Sequence, residues 1–435
     1  MRTRKTAAVI AAMLALSAAA CGGDVTASGP QVAGLVASDL DRRSPEAPAG
    51  DMAAAAAGNN AFAAAAYALL AEQEQGNLVY SPASIRLALA MAYAGAKGDT
   101  AREMAEVLRF DLEGEALHAA LNALDQELAS RNRVEPPDPD GVERKVRLSI
   151  ANAIWGQQGY EFVPEFLDTL AAHYGAGMRV VDFIAAAEAA RTAINAWVAE
   201  ETNGRITDLI PEGVLNEMTR LVLTNTVYLD ATWASIFEKE ATAEASFFRL
   251  DGSEVRVPTM HQEAYYRYAS GDGWAAVELA YVGDELAMLF VVPDAGRFAE
   301  VEGRVGDDLL DQVVAGLGGE RVRLALPKFE FRFKASVADL LAEMGMPTAF
   351  VPDLADFSGM TLAENLFIAD VIHEAFIKVD EEGTEAAAAT AVVMEATAAP
   401  ADPIRLTVDR PFLFSLYDRA TGEILFLGRV LDPAG

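Results

Sequence analysis

From Asn59 onward, apolar residues recur with two different periods, and the alternation between them sets out the elements. In NNAFAAAAYALLAEQ, Phe62, Tyr67 and Leu70 fall roughly on one helical face, behind an Asn59 that can cap the helix. The next stretch, GNLVYSPASIRLALAMAYAGAKGDTAREMAEVL, predicts a short strand, a Ser-Pro turn and two helices. Ser81 can cap the first of these with Pro82 at its first position, and Asp99 or Thr100 can begin the second. Residues 131–143 form a polar, proline-rich loop. KVRLSIANAIWGQ has period-two stretches and reads as a strand, and ARTAINAWVAEETNGRITDLI is a helix closing at Asn203-Gly204. RLVLTNTVYLDATW, AMLFVVPD and VRLALPKFEF are strands, and PFLFSLYDRATGEILFLGRVLDP is a hairpin turning through Asp418 to Gly422. Helices dominate the first half and strands the second, with no regular βαβ alternation and no short repeat. The pattern predicts one large α+β domain over residues 58–435.

Ahead of Asn59 the pattern changes. Residues 21–57 are rich in Gly, Ala, Ser, Pro and Asp without a sustained apolar period, and are expected to be a flexible tether. Arg2, Arg4 and Lys5 make a positive head before an apolar run from Ala7 to Leu16, too short to span a membrane. Residues 1–20 therefore read as an export signal. Cys21, the only cysteine, follows Ala18-Ala19-Ala20 and resembles the lipobox of a bacterial lipoprotein, with Ala18 where that pattern usually has Leu. The resemblance implies cleavage before Cys21, lipidation of its thiol and anchoring at the cell envelope. Ordinary signal cleavage with a free thiol is the other reading, and it implies secretion. With one cysteine no disulfide within the chain is possible, so the core must hold itself together.

Charge and motif content narrow the function. Lys plus Arg total 34 against 65 Asp plus Glu, a net charge of −31. Such a chain repels phosphate backbones, and nucleic acid is not an expected partner. There is no GxSxG elbow, no glycine-rich phosphate loop and no CxxC pair. HEAFI at 373–377 begins like a zincin helix but has Ile377 where the second His belongs, and the other histidines, His118, His173 and His261, are scattered. No enzyme, metal or cofactor is expected.

Several segments together resemble one family, the serpins. They are NLVYSPASI (77–85), LTNTVYLDATW (223–233), LALPKFEF (324–331), DFSGM (356–360), VIHEAFIKVDEEGTEAAAAT (371–390) and DRPFLFSL (409–416), in the family's order. The resemblance covers about residue 58 to the end. It implies a single domain of three β-sheets and eight or nine helices, with an exposed reactive loop at about 381–405. It also implies the inhibitory mechanism. A serine protease cuts the loop and is left as an acyl-enzyme, and the cut loop inserts as a central strand of the main sheet. By position, the resemblance makes Glu381, Gly383, Thr384, Glu385, Ala386, Ala387, Ala388, Ala389 and Thr390 the hinge. Ser81, Ser84, Asn225 and His373 become the polar shutter beneath the sheet, and Trp233 the breach at its top. Family spacing from Glu381 puts the scissile bond at Thr397-Ala398, with Ala396-Thr397 second.

The hinge residues also carry a reading of their own. Thr384, Ala386, Ala388, Thr390, Val392 and Met394 are uncharged, whereas Glu385 and Glu395 share the other parity. As a strand, this segment could bury one face and keep both carboxylates in water. Small residues at the cut suit elastase-like or subtilisin-like targets, and no Arg or Lys lies between Glu381 and Arg405, against trypsin-like ones. No basic helix offers itself to a sulfated polysaccharide, and a monomer is expected. The competing reading is a non-inhibitory binding protein on the same scaffold.

Overall fold

Leu221–Thr232 is a twelve-residue strand buried at every position, and the fold is organised around it. Seven of its twelve residues are apolar and even Thr224, Asn225 and Thr226 are buried, as suits a strand covered on both faces. The computed structural model describes residues 34–136, 143–306, 308–384 and 402–435, all within one compact unit from Val32 to Gly435. In the first sheet the order is Gly34–Val36, Met178–Val181, Lys145–Gln157, Leu221–Thr232, Asp370–Val379 and Phe329–Ser336. Lys145–Gln157 runs antiparallel to the central strand, with Asn152 opposite Asn225. Asp370–Val379 runs parallel to it, with His373 opposite Asn225. These parallel rungs stop at Ala375 and Val227. The chain then turns through Asp380–Glu382, and Gly383–Thr384 comes back antiparallel, opposite Thr232 and Ala231.

The second sheet has nine strands. Where three sheets were expected, the described strands form two hydrogen-bonded ladders. The eighteen-residue strand Glu254–Gly271 is the reason, because its successive parts pair with Ala243–Phe248, Gly318–Pro327 and Trp274–Ala280. It joins into one ladder what would otherwise count as two. The C-terminal hairpin, Phe412–Asp418 with Ile424–Val430, lies inside this sheet and is buried at every position. Its turn is fixed by Asp418: Oδ1 accepts from the amides of Ala420 at 3.0 Å and Thr421 at 2.8 Å, while Oδ2 accepts from Arg131 Nε at 2.7 Å.

Nine α-helices are present among the described residues. Pro82–Tyr93 starts as expected, with Ser81 Oγ accepting the amide of Ser84 at 3.3 Å. Asn203 and Gly204 take left-handed φ values of 50° and 77° just after the helix Phe183–Glu201, ending it where the sequence predicts. The helix after Pro82–Tyr93, Gly98–Val107, begins one residue before Asp99.

The tether reading of residues 21–57 fails for its second half. Gly34–Val36 adds a strand to the edge of the first sheet against Met178–Val181. Arg42 donates to Asn122 Oδ1 at 2.9 Å and to Asp125 Oδ2 at 2.5 Å, and the Arg43 amide donates to Ala172 O at 2.8 Å. The first helix runs Ala49–Gln73, so Asn59 does not cap it. Asn59 sits buried mid-helix and donates to Ile424 O at 2.9 Å. Alanine runs have high helix propensity but no amphipathic period, so a search for periodicity passes over them. Phe62, Tyr67 and Leu70 are buried on one face, as predicted.

Candidate functional site: the sheet opening and the hinge

The strand register lines up Asn152, Asn225 and His373 side by side on three neighbouring strands. The Ser81 amide, which can only donate, points at His373 Nε2 at 3.2 Å. That fixes the tautomer. The proton is on Nδ1, which donates to Asn225 Oδ1. Burial pushes the His373 imidazole down to about 3, so it is neutral at physiological pH. Asn225 Nδ2 donates to Ser84 Oγ and to Asn152 Oδ1, the latter at 2.5 Å. Ser84 Oγ donates to Asn152 Oδ1 at 3.0 Å, and Asn152 Nδ2 donates to Ser84 O at 3.2 Å. The four expected shutter residues do meet, and the network closes through a fifth, Asn152, which sequence reasoning missed. Its signal was a lone Asn on the apolar parity of Val146, Leu148, Ile150 and Ile154.

At the top of the same strand, Trp233 is fully buried. Its Nε1 donates to Asp380 O at 3.1 Å and its amide donates to Glu382 O at 2.8 Å. Its ring stacks on Tyr281 at 4.4 Å and 18°. Tyr281 bonds Thr384 Oγ1 at 2.6 Å. Burial pushes the Tyr281 phenol well above its ordinary range, so the hydroxyl stays protonated and can donate.

The turn Asp380–Glu382 is held by three lysines. Lys378 pairs with Asp380 at 3.2 Å, Lys328 with Glu381 at 2.6 Å and Lys239 with Glu382 at 2.5 Å. Burial works to raise the Glu381 carboxyl, but hydrogen bonds from Lys328 and Thr242 keep it below the usual carboxylate range. Gly383 is tight against the sheet, since a Cβ there would lie 1.9 Å from Ala231 O. Glu381, Gly383 and Thr384 are thus held against the top of the first sheet. Cys21, Glu385, Ala386, Ala387, Ala388, Ala389, Thr390, Ala396, Thr397 and Ala398 lie outside the described residues.

Nothing in this arrangement activates a nucleophile. The described residues form a polar latch across three sheet strands and a clamped turn above it. A parallel strand pair, free of rungs near the turn, lies between them. Comparison with known proteins gives this geometry its relatives. A family model for Serpin (serine protease inhibitor) matches residues 57–433. An uncharacterized serpin-like protein of Thermococcus kodakarensis is 42% identical over 360 residues, covering 82% of this chain and 81% of that protein. The leukocyte elastase inhibitor of Bos taurus is 36% identical over 389 residues, covering 87% and 99%. Among solved structures, a thermophilic serpin, tengpin, in its native state superposes with a TM-score of 0.77 at 27% identity, covering 92% of this chain and 100% of that one.

Proposed function

The chain belongs to the serpin family, and from that premise we propose that it inhibits serine proteases as a suicide substrate. The observation that carries this reading is the pairing of Gly383 and Thr384 with the top of the central strand. These are the first two rungs of an inserting strand. Continued downward, the same register sets Glu385 opposite Asp230 and residue 386 opposite Leu229. The Thr384 side chain is buried against Tyr281. Period-two alternation then sends Ala386, Ala388, Thr390, Val392 and Met394 inward and Glu385 and Glu395 to the other face, where Glu385 comes beside Asp230, whose carboxylate pairs with Lys145 at 2.7 Å.

Insertion must part Leu221–Thr232 from Asp370–Val379, breaking the rungs from Val222 to Val227 and the contact between Asn225 and His373. The inserted strand replaces that one ladder with two, each hydrogen bond worth about 1 kcal/mol net. Burying Val392 and Met394 adds about 1.5–3 kcal/mol each. The uncut form is then held by the latch kinetically, and cutting the loop releases it.

In this reading the cut falls at Thr397-Ala398, or at Ala396-Thr397, and the targets are elastase-like or subtilisin-like. The leukocyte elastase inhibitor of Bos taurus is a relative whose name fits a small residue at the cut. Residues 1–20 direct export, and lipid on Cys21 anchors the chain at the cell envelope. No helix among the described residues is long and apolar enough to cross a membrane. The test is to mix the purified chain with one protease of each class and run a denaturing gel. A band at the summed mass that survives boiling is expected. Clean cleavage by both proteases with no such band, even when the cleaved chain gains thermal stability, would sink the trapping mechanism.

A further inference from the structure

Just beyond the loop, Ile404–Thr407 pairs in parallel with Gly318–Pro327, which pairs antiparallel with Glu254–Gly271. One lateral row across these strands is Arg405, Arg323 and Glu263, and beside it Arg321 lies opposite Tyr265. The alternate parity, Val322, Leu324 and Leu406, is buried, so this row faces outward. Arg405 and Arg323 are like charges directly opposite one another, an unfavourable pair in a ladder. The one carboxylate in the row is already taken. Glu263 accepts from Arg323 Nε at 2.8 Å and also pairs with Arg321. Among the described residues no hydrogen bond or ion pair satisfies the Arg405 guanidinium. Tyr265 stands next to this group, 77% exposed. On a chain of net charge −31, packing does not explain an arginine row with a bare tyrosine, and Tyr and Arg are enriched in the hot spots of interfaces.

We infer that Arg321, Arg323, Arg405 and Tyr265 form a second docking surface for the target protease, one that fits an acidic rim around the protease's substrate cleft. The inference rests on the inhibitory reading and deepens it. Ile404 follows Ala398 by six residues, at most about 20 Å of chain, so a protease seated on the proposed bait bond comes within reach of this surface. A chain of net charge −31 repels an acidic partner on average, and a local positive face orients the encounter so that the cleft meets the loop.

The experiment compares the full chain with Arg405→Glu and with Arg405→Glu/Tyr265→Ala. Neither side chain makes a bond in the fold, so the unfolding midpoint should not fall; Arg405→Glu turns the like-charge pair with Arg323 into an opposite-charge one and should hold the midpoint or raise it. The probes are a subtilisin with a neutral cleft rim and a version with carboxylates added to that rim. Each is also used with its nucleophilic serine replaced by alanine, so that docking is measured without trapping. For the acidic-rim protease, the double variant should associate about tenfold more slowly at low salt, with a flattened salt dependence. The neutral-rim protease should show little change. Weaker docking of the alanine-substituted protease to the variants supports the surface even if no covalent complex forms, an outcome that would sink only the trapping mechanism. Equal association rates and equal docking for chain and variants with both proteases overturn the inference. So does loss of heparin binding by the variants with unchanged protease rates, which would make the row a polyanion site.

Discussion

Replacing Gly383 with Ala tests the hinge most directly. The added methyl would sit 1.9 Å from Ala231 O and 2.9 Å from Thr232 Cα. Both are backbone atoms of the central strand, so no rotamer change relieves the collision. The hinge must leave its two rungs, at about 1 kcal/mol per hydrogen bond. Thr384 leaves with it, and the Tyr281 hydroxyl, fully buried, loses its partner at a cost of about 1–3 kcal/mol. The total, about 3–5 kcal/mol, is large against the roughly 5–15 kcal/mol by which domains are usually stable. In the proposed mechanism the same collision meets the strand during insertion, because the inserting loop would use the same rungs. Gly383→Ala should therefore lower the unfolding midpoint of the uncut chain. It should also raise the number of inhibitor molecules consumed per protease, with cleaved chain replacing the covalent band on gels. Unchanged stoichiometry together with an unchanged midpoint would refute the assignment of Gly383–Thr384 as the first rungs.

Three further predictions concern the latch, the N-terminus and the bait. Because burial holds His373 near 3 while an unfolded His titrates near 6.5, stability is complete above about pH 6.5 and is lost as pH falls toward 3, by about 2 kcal/mol at pH 5. Burial lifts Glu423 to about 7, which acts in the opposite direction, so urea midpoints at pH 7.5 and 5 should be compared between the chain and His373→Gln; a slope no steeper in the unaltered chain removes His373 from the account. A chain beginning at Pro48, which keeps the whole first helix, should be less stable by about 3 kcal/mol in urea unfolding, since it loses the Gly34–Val36 strand and the bonds of Arg42 to Asn122 and Asp125; an equal midpoint would return the segment before Pro48 to the status of tether. Thr397→Arg should create a boiling-resistant complex with trypsin and weaken the one with elastase, and cleavage elsewhere in the loop by mass spectrometry would move the bait bond.

Much of this architecture was readable one strand at a time. The Ser81 cap, the Asn203-Gly204 stop, the Asp418 turn and the central strand each rest on local chemistry, which a sequence carries openly. What stayed hidden depends on register. Asn152 and Arg323 gain their meaning from what lies opposite, Asn225 in one case and Arg405 in the other, and no period within a single strand predicts that pairing. The N-terminal strand and the early start of the first helix were hidden for another reason. Alanine contributes propensity without contrast, so its segments look like a linker until something packs on them.

The C-terminal hairpin has a consequence for what happens after the cut. Both of its strands are buried throughout and lie in the interior of the second sheet, and Arg131 ties its turn to the rest of the molecule. Cleavage near Thr397 would split the polypeptide in two without removing any of this core. The piece from Ala398 to Gly435 should remain bound as a non-covalent subunit, separable only by denaturant. The spent molecule is then a tight heterodimer made from one gene product. Under native conditions its hydrodynamic size should barely differ from that of the intact chain, so gel filtration alone would mistake one for the other.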